Sequence, residues 1–477
     1  MTDPCLRSAT ALSAALRARE IGARELLERY LDRVERLNGR LNAVVTLDVE
    51  RARAAADRAD RERGGGPLHG LPMTIKDTFE TVRVRTTSGA QMLAGHVPER
   101  DAEAVARLRA AGAVIFGKTN TPTFAADAQT YNPVFGTTNN PWDLARSPGG
   151  SSGGSAAAIA AGLSALELGS DIAGSIRNPS HYCGIYGHKP THGIVPMRGH
   201  IPGPPGTLAE ADVAVAGPHA RAAEDLELAL SVLAGPDDDR ATAWRLELPP
   251  PRRDRLADYR VAAWLDDPAC PVDDAVRTRL EAIVSALRRA GVHVDEHARP
   301  PFDFADGFAD FRRLVWPIMM SGLPPDEFAE LVRVATADDG PAGDFARAAT
   351  LRHRDWMAVN ERRAHYRAAW RDVFGNYGVV LTPVTPTAAI PHDQSLPIDR
   401  RTLTVNGRPR PYLDVVGWAG VVGMAWLPAT VAPAGRTPAG LPVGVQIVGP
   451  YLEDRTCIDF ARRLADVAGG YEPPPGY

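Results

Sequence analysis

Cysteine is scarce in this chain. The four cysteines among 477 residues, Cys5, Cys183, Cys270 and Cys457, lie far apart and form no CxxC pair. Neither a zinc site nor a disulfide framework is expected, and a reducing, cytoplasmic compartment is. An excess of one charge is also missing: 54 Lys and Arg against 58 Asp and Glu leave −4 at pH 7. That balance argues against a dedicated nucleic-acid binder, which carries a basic stripe. No run of about 18 apolar residues occurs, so no membrane span is expected. Met1 to Arg17 lacks the apolar core of a secretory leader. No HExxH occurs, and the histidines do not cluster with acids or cysteines at ligand spacing, so no metal and no cofactor are expected.

What is present suits a large core: 44% of residues are hydrophobic and 23% charged. The first 62 residues read as helices, with Leu26, Leu27, Tyr30, Leu31, Val34 and Leu37 forming a core-facing stripe. From Leu71 the pattern alternates. Leu71 to Lys76 reads as a buried strand ending in a lysine, Asp101 to Ala111 as a helix, and Val114 to Phe116 as a strand. Ser152 to Ala161 reads as a small-residue helix and Leu163 to Leu168 as a strand. Residues 235 to 258 are a Pro- and Asp-rich break. Beyond it come a strand at Arg260 to Trp264, a helix at Asp273 to Ala290, a strand at Val292 to Val294, and a helical stretch over 300–376. Strands return at Val379 to Thr382, Leu427 to Val431 and Val443 to Val448, before a last helix at Asp454 to Val467. The expected fold is α/β, one large mixed sheet covered by helices on both faces. It is expected as a single domain over 1–477: a core at 65–220, a variable helical region at 237–376, and a return to the sheet at 377–470.

Two local motifs mislead. Gly112 to Thr119 satisfies GxxxxGK[ST], but a helix precedes it, its middle is a strand, and Asn120-Thr121-Pro122 is a turn. A phosphate loop needs the opposite order. Gly149-Gly150-Ser151-Ser152-Gly153-Gly154 matches GxSxG twice, yet an irregular loop and not a strand leads into it. A third element, Gly169 to Arg177, has small residues before Ser175. Such a turn can aim several N–H groups at one point, as an oxyanion hole does, or be a plain tight turn.

Together these segments resemble the amidase signature family. The resemblance rests on Ser147 to Ala157, Gly169 to Arg177, and Cys183 to Thr191. Gly70-Leu71-Pro72, Ile75-Lys76-Asp77, Lys118-Thr119-Asn120, Phe135-Gly136 to Trp142, and Gly440 to Gly449 also fit. It implies a Ser-cisSer-Lys triad: Lys76 as base, Ser151 as bridging serine, Ser175 as nucleophile. It implies an oxyanion hole of backbone N–H groups on Ile172, Ala173, Gly174 and Ser175. Ser152, Ser170, Asp171 and Arg177 are expected to support the site. Two positions depart from the family pattern, Ala173 for glycine and Ser170 for threonine. A backbone donor survives Gly→Ala unless φ must be positive.

The chemistry requires these residue types. Serine must lose a proton in attack, and a leaving amine must gain one. Lysine serves as base only when neutral, so it must be buried to depress its pKa from about 10.4. The alternative for Lys76 is a surface lysine beside Asp77. Asp171 and Arg177 read as a pair pinning the turn. His188 is expected to be structural in a Gly-His-Lys-Pro turn, with His181 a minor candidate for lining the pocket. The expected activity is hydrolysis of a small-molecule carboxamide, with no nucleic-acid or membrane partner and a homodimer left open. Competing readings are one component of a glutamine-hydrolysing amidotransferase and a non-catalytic nucleotide binder using Gly112 to Thr119. Trp316, Met319, Met320, Trp356 and Trp370 suit an apolar acyl group or, at helical spacing, the core. The substrate-binding residues are not legible.

Overall fold

The computed structural model describes residues 3–62, 64–201 and 204–477. Met1 and Thr2 of the first expected helical stretch, and Pro202-Gly203 of the expected core segment, lie outside these residues. Eleven strands form one mixed sheet. Their spatial order is Val44–Leu47, Val114–Thr119, Pro72–Lys76, Glu167–Asp171, Val215–Ala220, Tyr186–Lys189, Ala429–Arg436, Pro442–Val448, Val379–Pro383, Arg260–Ala263 and His293–Asp295. The strands ending at Thr119, Lys76 and Asp171 run parallel, as do the last three in that order. The pairings between these groups, and the edge strand Val44–Leu47, are antiparallel.

Helices cover both faces. Those at Ala223–Leu233, Asp274–Arg289 and Asp454–Ala468 pack into one layer. Gly153–Ala160 and Arg177–Cys183 pack on each other and on the central strands. A strand covered on both sides has no solvent face, which is why Pro72–Lys76 is buried at every residue and does not alternate between apolar and exposed polar positions. The stripe on helix Ala23–Leu41 faces the core through Leu26, Leu27, Tyr30 and Val34, with Leu31 and Leu37 half-buried beside them. The helix ends where Asn42 turns left-handed at φ 54°. Truncating fully buried Leu27 to alanine would cost about 2–5 kcal/mol.

The sheet differs from the sequence-based expectation in four places. Val44–Leu47, read as helical, is an edge strand. The strand expected at Leu163 begins only at Glu167, because the Ser164 hydroxyl accepts from the Thr74 N–H at 3.0 Å and donates to the Leu166 carbonyl. Gly187 to Pro190, read as a Gly-His-Lys-Pro turn, falls mostly in the buried strand Tyr186–Lys189. Val215–Ala220 is a central strand despite Gly217 and Pro218, residues that argue against one. Gly217 is explained by crowding, since a Cβ there would sit 2.2 Å from the His188 carbonyl.

Helices over 300–376 fall at Phe304–Met319, Pro325–Ala337, Pro341–Ala349 and His353–Asn376. A hairpin, Thr402–Val405 with Arg408–Pro411, turns at Asn406-Gly407, both at positive φ. No helix of the described residues is long and apolar enough to cross a membrane.

Candidate active site

Three segments converge at the C-terminal end of the parallel strands. Lys76 closes its strand with a fully buried side chain. Its Nζ lies 2.6 Å from Ser151 Oγ and 3.0 Å from Ser170 Oγ, both hydroxyls, with no carboxylate in bonding range among the described residues. Burial pushes the lysine down to about 7, against the opposing pull of Glu167 and Asp171. The surface pairing of Lys76 with Asp77 does not occur. Asp77 accepts instead from the N–H and hydroxyl of Thr87.

Ser151 stands in the loop before helix Gly153–Ala160, and the Gly150–Ser151 peptide is cis. Thr130 ties this loop down: its hydroxyl donates to the Gly149 carbonyl at 2.8 Å and accepts from the Gly153 N–H at 3.1 Å. The Ser152 N–H donates to the Ser175 carbonyl at 3.2 Å, and its hydroxyl donates to the Ser170 carbonyl at 3.2 Å. The serine loop and the Gly169–Arg177 turn are therefore stitched together. Gly169 has to be glycine, since a Cβ would lie 2.6 Å from His219 Nε2 and 3.0 Å from Ser152 Oγ.

Asp171 organises the turn that carries Ser175. One carboxylate oxygen accepts from the Gly174 N–H at 2.8 Å and Arg177 Nη2 at 2.9 Å. The other accepts from the Ile176 N–H and Arg177 Nε, both at 3.0 Å. Both side chains are fully buried. Arg177 continues to the Ala419 carbonyl at 2.7 Å and Gln446 Oε1 at 2.8 Å, which anchors the turn to a C-terminal helix and strand. The Arg177 guanidinium holds the Asp171 carboxyl well below the usual carboxylate range, despite burial.

This arrangement takes the Gly174 N–H out of the four donors expected from the sequence. The N–H groups of Ile172, Ala173 and Ser175 have no partner among the described residues. Gly174 carries the positive φ of the turn, 107°, and Ala173 does not, so alanine at 173 is accommodated. Ser175 is half-buried. Its hydroxyl makes no hydrogen bond among the described residues, and the structure does not join it to Ser151.

The histidines stand elsewhere. His188 is buried between Thr430 Oγ1 at 2.9 Å and Asp454 Oδ1 at 3.1 Å, away from Asp171. His181 does not line a pocket. Its ring accepts from the Gly444 N–H at 2.8 Å and faces the Thr387 carbonyl at 3.1 Å, fully buried. Lys118, the lysine of the phosphate-loop match, is buried with its Nζ on the Phe79 carbonyl and the Thr81 and Thr86 hydroxyls. It continues a strand and opens no helix, so it makes no phosphate cradle.

Sequence reasoning missed several polar groups around this centre. His200 Nε2 lies 2.8 Å from Ser170 Oγ. Glu167 is fully buried and accepts from the Thr119 hydroxyl, and burial pushes it up to about 8. Lys189 is buried, its Nζ donates to the Pro190 carbonyl, and burial pushes it down to about 7. Among described residues, no group of acids, cysteines and histidines could hold a metal ion.

One wall of the site is apolar. Ile172 and Ala173 pack against a cluster built from Val213, Phe311, Leu314, Val315, Val359 and Met424. Trp316, Met319 and Trp356 border the same cluster. Trp370 does not: it lies in the main core, stacked on Phe374 at 5.9 Å.

Comparison with known proteins bears on the family and the fold. The sequence profile of the amidase family matches residues 25–458. One chain of the glutamyl-tRNA(Gln) amidotransferase of Roseiflexus sp. (strain RS-1) is 33% identical over 488 residues, spanning 95% of both proteins. A 6-aminohexanoate cyclic dimer hydrolase superposes with a TM-score of 0.79 at 26% identity over 99% of each chain. A bacterial aryl acylamidase shares the fold, with a TM-score of 0.83 at 23% identity and 99% of each chain covered.

Proposed function

The chain belongs to the amidase signature family, and from that premise we propose that it hydrolyses a carboxamide through an acyl-enzyme on Ser175. The observation that carries this reading is the buried, carboxylate-free Lys76 amine 2.6 Å from the Ser151 hydroxyl. A lysine held near its neutral form is a base, and a serine in contact with it is a proton carrier. In this scheme the Ser175 hydroxyl attacks the amide carbon and its proton passes to Ser151 as the Ser151 proton passes to Lys76. Charge develops on the carbonyl oxygen, where the unpaired N–H groups of Ile172, Ala173 and Ser175 stabilise it. Collapse breaks the carbon–nitrogen bond as Ser151 returns a proton to the leaving nitrogen. Water then repeats the sequence on the ester and frees the acid.

The apolar wall beside Ile172 and Ala173 supports an apolar or aromatic acyl group. The glutamine-hydrolysing reading is supported by identity to the glutamyl-tRNA(Gln) amidotransferase chain. It needs free charges for an α-ammonium and an α-carboxylate. Arg363 and Asp212 are paired with each other, whereas Arg312, over the Phe308 ring, and Arg367, over the Trp426 ring, form no ion pair among the described residues, so the apolar amide is favoured by the apolar wall alone. The test is a panel of primary amides, anilides and glutamine, read by released ammonia or amine, alongside a fluorophosphonate probe. Aryl or alkyl amides should turn over ahead of glutamine, and the probe should label wild type but not Ser175→Ala. Labelling on Ser151 or Ser152 would overturn the assignment.

A further inference from the structure

We propose that His200 is a positioning residue that fixes the direction of the hydrogen bonds around Lys76, by taking the hydrogen of Ser170. The inference rests on the amidase reading and adds a residue to it. Three contacts define a chain: Lys76 Nζ to Ser170 Oγ at 3.0 Å, Ser170 Oγ to His200 Nε2 at 2.8 Å, and Lys76 Nζ to Ser151 Oγ at 2.6 Å. Ser170 is buried, so its single hydroxyl hydrogen needs an acceptor. Among the described residues it has two choices, His200 Nε2 and the lone pair of a neutral Lys76. The second would cap the lone pair that must receive the Ser151 proton. With His200 as acceptor, the Ser170 oxygen faces Lys76 as an acceptor too, and the amine turns its lone pair to Ser151.

The ring is held for this task. His200 pairs its backbone with Phe79, three residues beyond Lys76, and the two rings meet edge to face at 4.7 Å. The Glu80 N–H donates to the Gly199 carbonyl at 2.9 Å, and the Ile201 N–H to the Thr78 carbonyl at 2.7 Å. The segment that continues from Lys76 thus also grips the histidine. Burial pushes the imidazole down to about 3, so it stays neutral and can accept at Nε2 with its proton on Nδ1. The charged groups that bear on Lys76 are Glu167 and Asp171 on the adjacent strand, and Lys76 in turn bears on His200 and His219. None of the other groups changes in the substitutions below.

The test needs no knowledge of the substrate. It measures the rate of fluorophosphonate labelling at Ser175 against pH for wild type, His200→Phe, His200→Gln, Ser170→Ala and the Ser170→Ala/His200→Phe pair. Phenylalanine keeps the ring against Phe79 but offers no acceptor. Without it the Ser170 hydroxyl caps neutral Lys76, a competition on the scale of one hydrogen bond, so the plateau rate should fall about tenfold. The same bond stabilises the neutral amine, so the ascending limb should move to lower pH even as the plateau drops. His200→Gln, which restores an acceptor, should recover most of the rate. In Ser170→Ala, where no hydroxyl competes, His200→Phe should change the rate less than twofold. A limb moving to higher pH would mean that water has entered and the role is merely structural. Equal losses with and without the Ser170 hydroxyl would also overturn the inference. A wild type labelled at Ser175 with His200→Phe unaltered sinks this inference and spares the hydrolase reading. A wild type not labelled at Ser175 sinks both.

Discussion

Lys76 stands between two costs. A charged ammonium in this burial is expensive, and a neutral one is useful only at a pH where the proton has left. With its value pushed down to about 7, the neutral fraction should rise through neutrality, and turnover should follow an ascending limb there. Lys76→Ala should lose several orders of magnitude in kcat, because base, relay and nucleophile act as one unit. The same burial has a stability sign. The folded lysine titrates near 7 and the unfolded one at 10.5, so the folded state holds fewer protons in between and stability rises with pH across that window. Lys76→Met should therefore raise the urea midpoint at neutral pH and flatten part of that rise. A variant that keeps near-wild-type kcat, or is less stable than wild type at neutral pH, would remove Lys76 from this role. Lys76 and Ser151 were legible as partners only through the family resemblance, since from its own segment alone Lys76 read more readily as a surface lysine beside Asp77. His200 and Glu167 were not readable. Their chemistry depends on which strand or loop lies beside Lys76, and no local pattern encodes that. The single donor lost at Gly174 was equally hidden, because it depends on where the Asp171 carboxylate turns.

At the scale of elements, the Gly169–Arg177 turn behaves as a clamp between a central strand and the C-terminal part of the sheet. Arg177 is the pin, reaching Asp171, Ala419 and Gln446 from one guanidinium. Arg177→Met would leave the buried Asp171 charge uncompensated, a cost of about 3–5 kcal/mol. The double variant Asp171→Asn/Arg177→Met removes both charges and should regain most of that stability by chemical denaturation. Its fluorophosphonate labelling should stay low, because the turn no longer holds its N–H groups in place. Equal stability of the single and double variants would show that the pair does not act as argued. Elements with strong local signals were the legible ones: the lysine strand, the small-residue helix Gly153–Ala160, the helices of 300–376 and the closing strand Pro442–Val448. Val215–Ala220 escaped because it contains a glycine and a proline, and the glycine serves close packing against His188 and Pro190. Val44–Leu47 escaped because four residues between two helices carry too little periodicity to be separated from them. The hairpin at Asn406-Gly407 also went unread, although an Asn-Gly pair between two short runs is a local turn signal.

Across the whole molecule, an eleven-stranded sheet covered on both faces buries many groups that titrate, and their balance sets where the fold is stable. Burial pushes His181 and His192 from 6.5 down to about 4, and His200 and His219 down to about 3. For each, the folded state stays neutral while the unfolded chain takes up a proton below 6.5. Stability is therefore lost as pH falls from 6.5 toward 4, by at most about 1.4 kcal/mol per pH unit for each. His192 and His200 keep some contact with solvent and contribute less. Buried acids oppose this, most strongly two of them. Glu167, pushed up to about 8, and Asp225, pushed up to about 6, hold protons that the unfolded chain releases down to 4.5 and 3.8. Between pH 6 and 4.5 these four histidines take up at most four protons on unfolding against about two released by Glu167 and Asp225; His392, also lowered by burial, adds to the uptake, and Asp77, Glu103 and Asp414, raised by burial, reduce it. The protein should thus lose stability on mild acidification, before its ion-paired carboxylates begin to protonate. Urea midpoints across this range should fall with pH. His219→Gln should reduce the slope by about one proton, since His219 is fully buried and its Nε2 has no partner among the described residues. A midpoint that stays flat or rises between pH 6 and 4.5 would mean that the carboxyls outweigh the histidines and that the sign argued here is wrong.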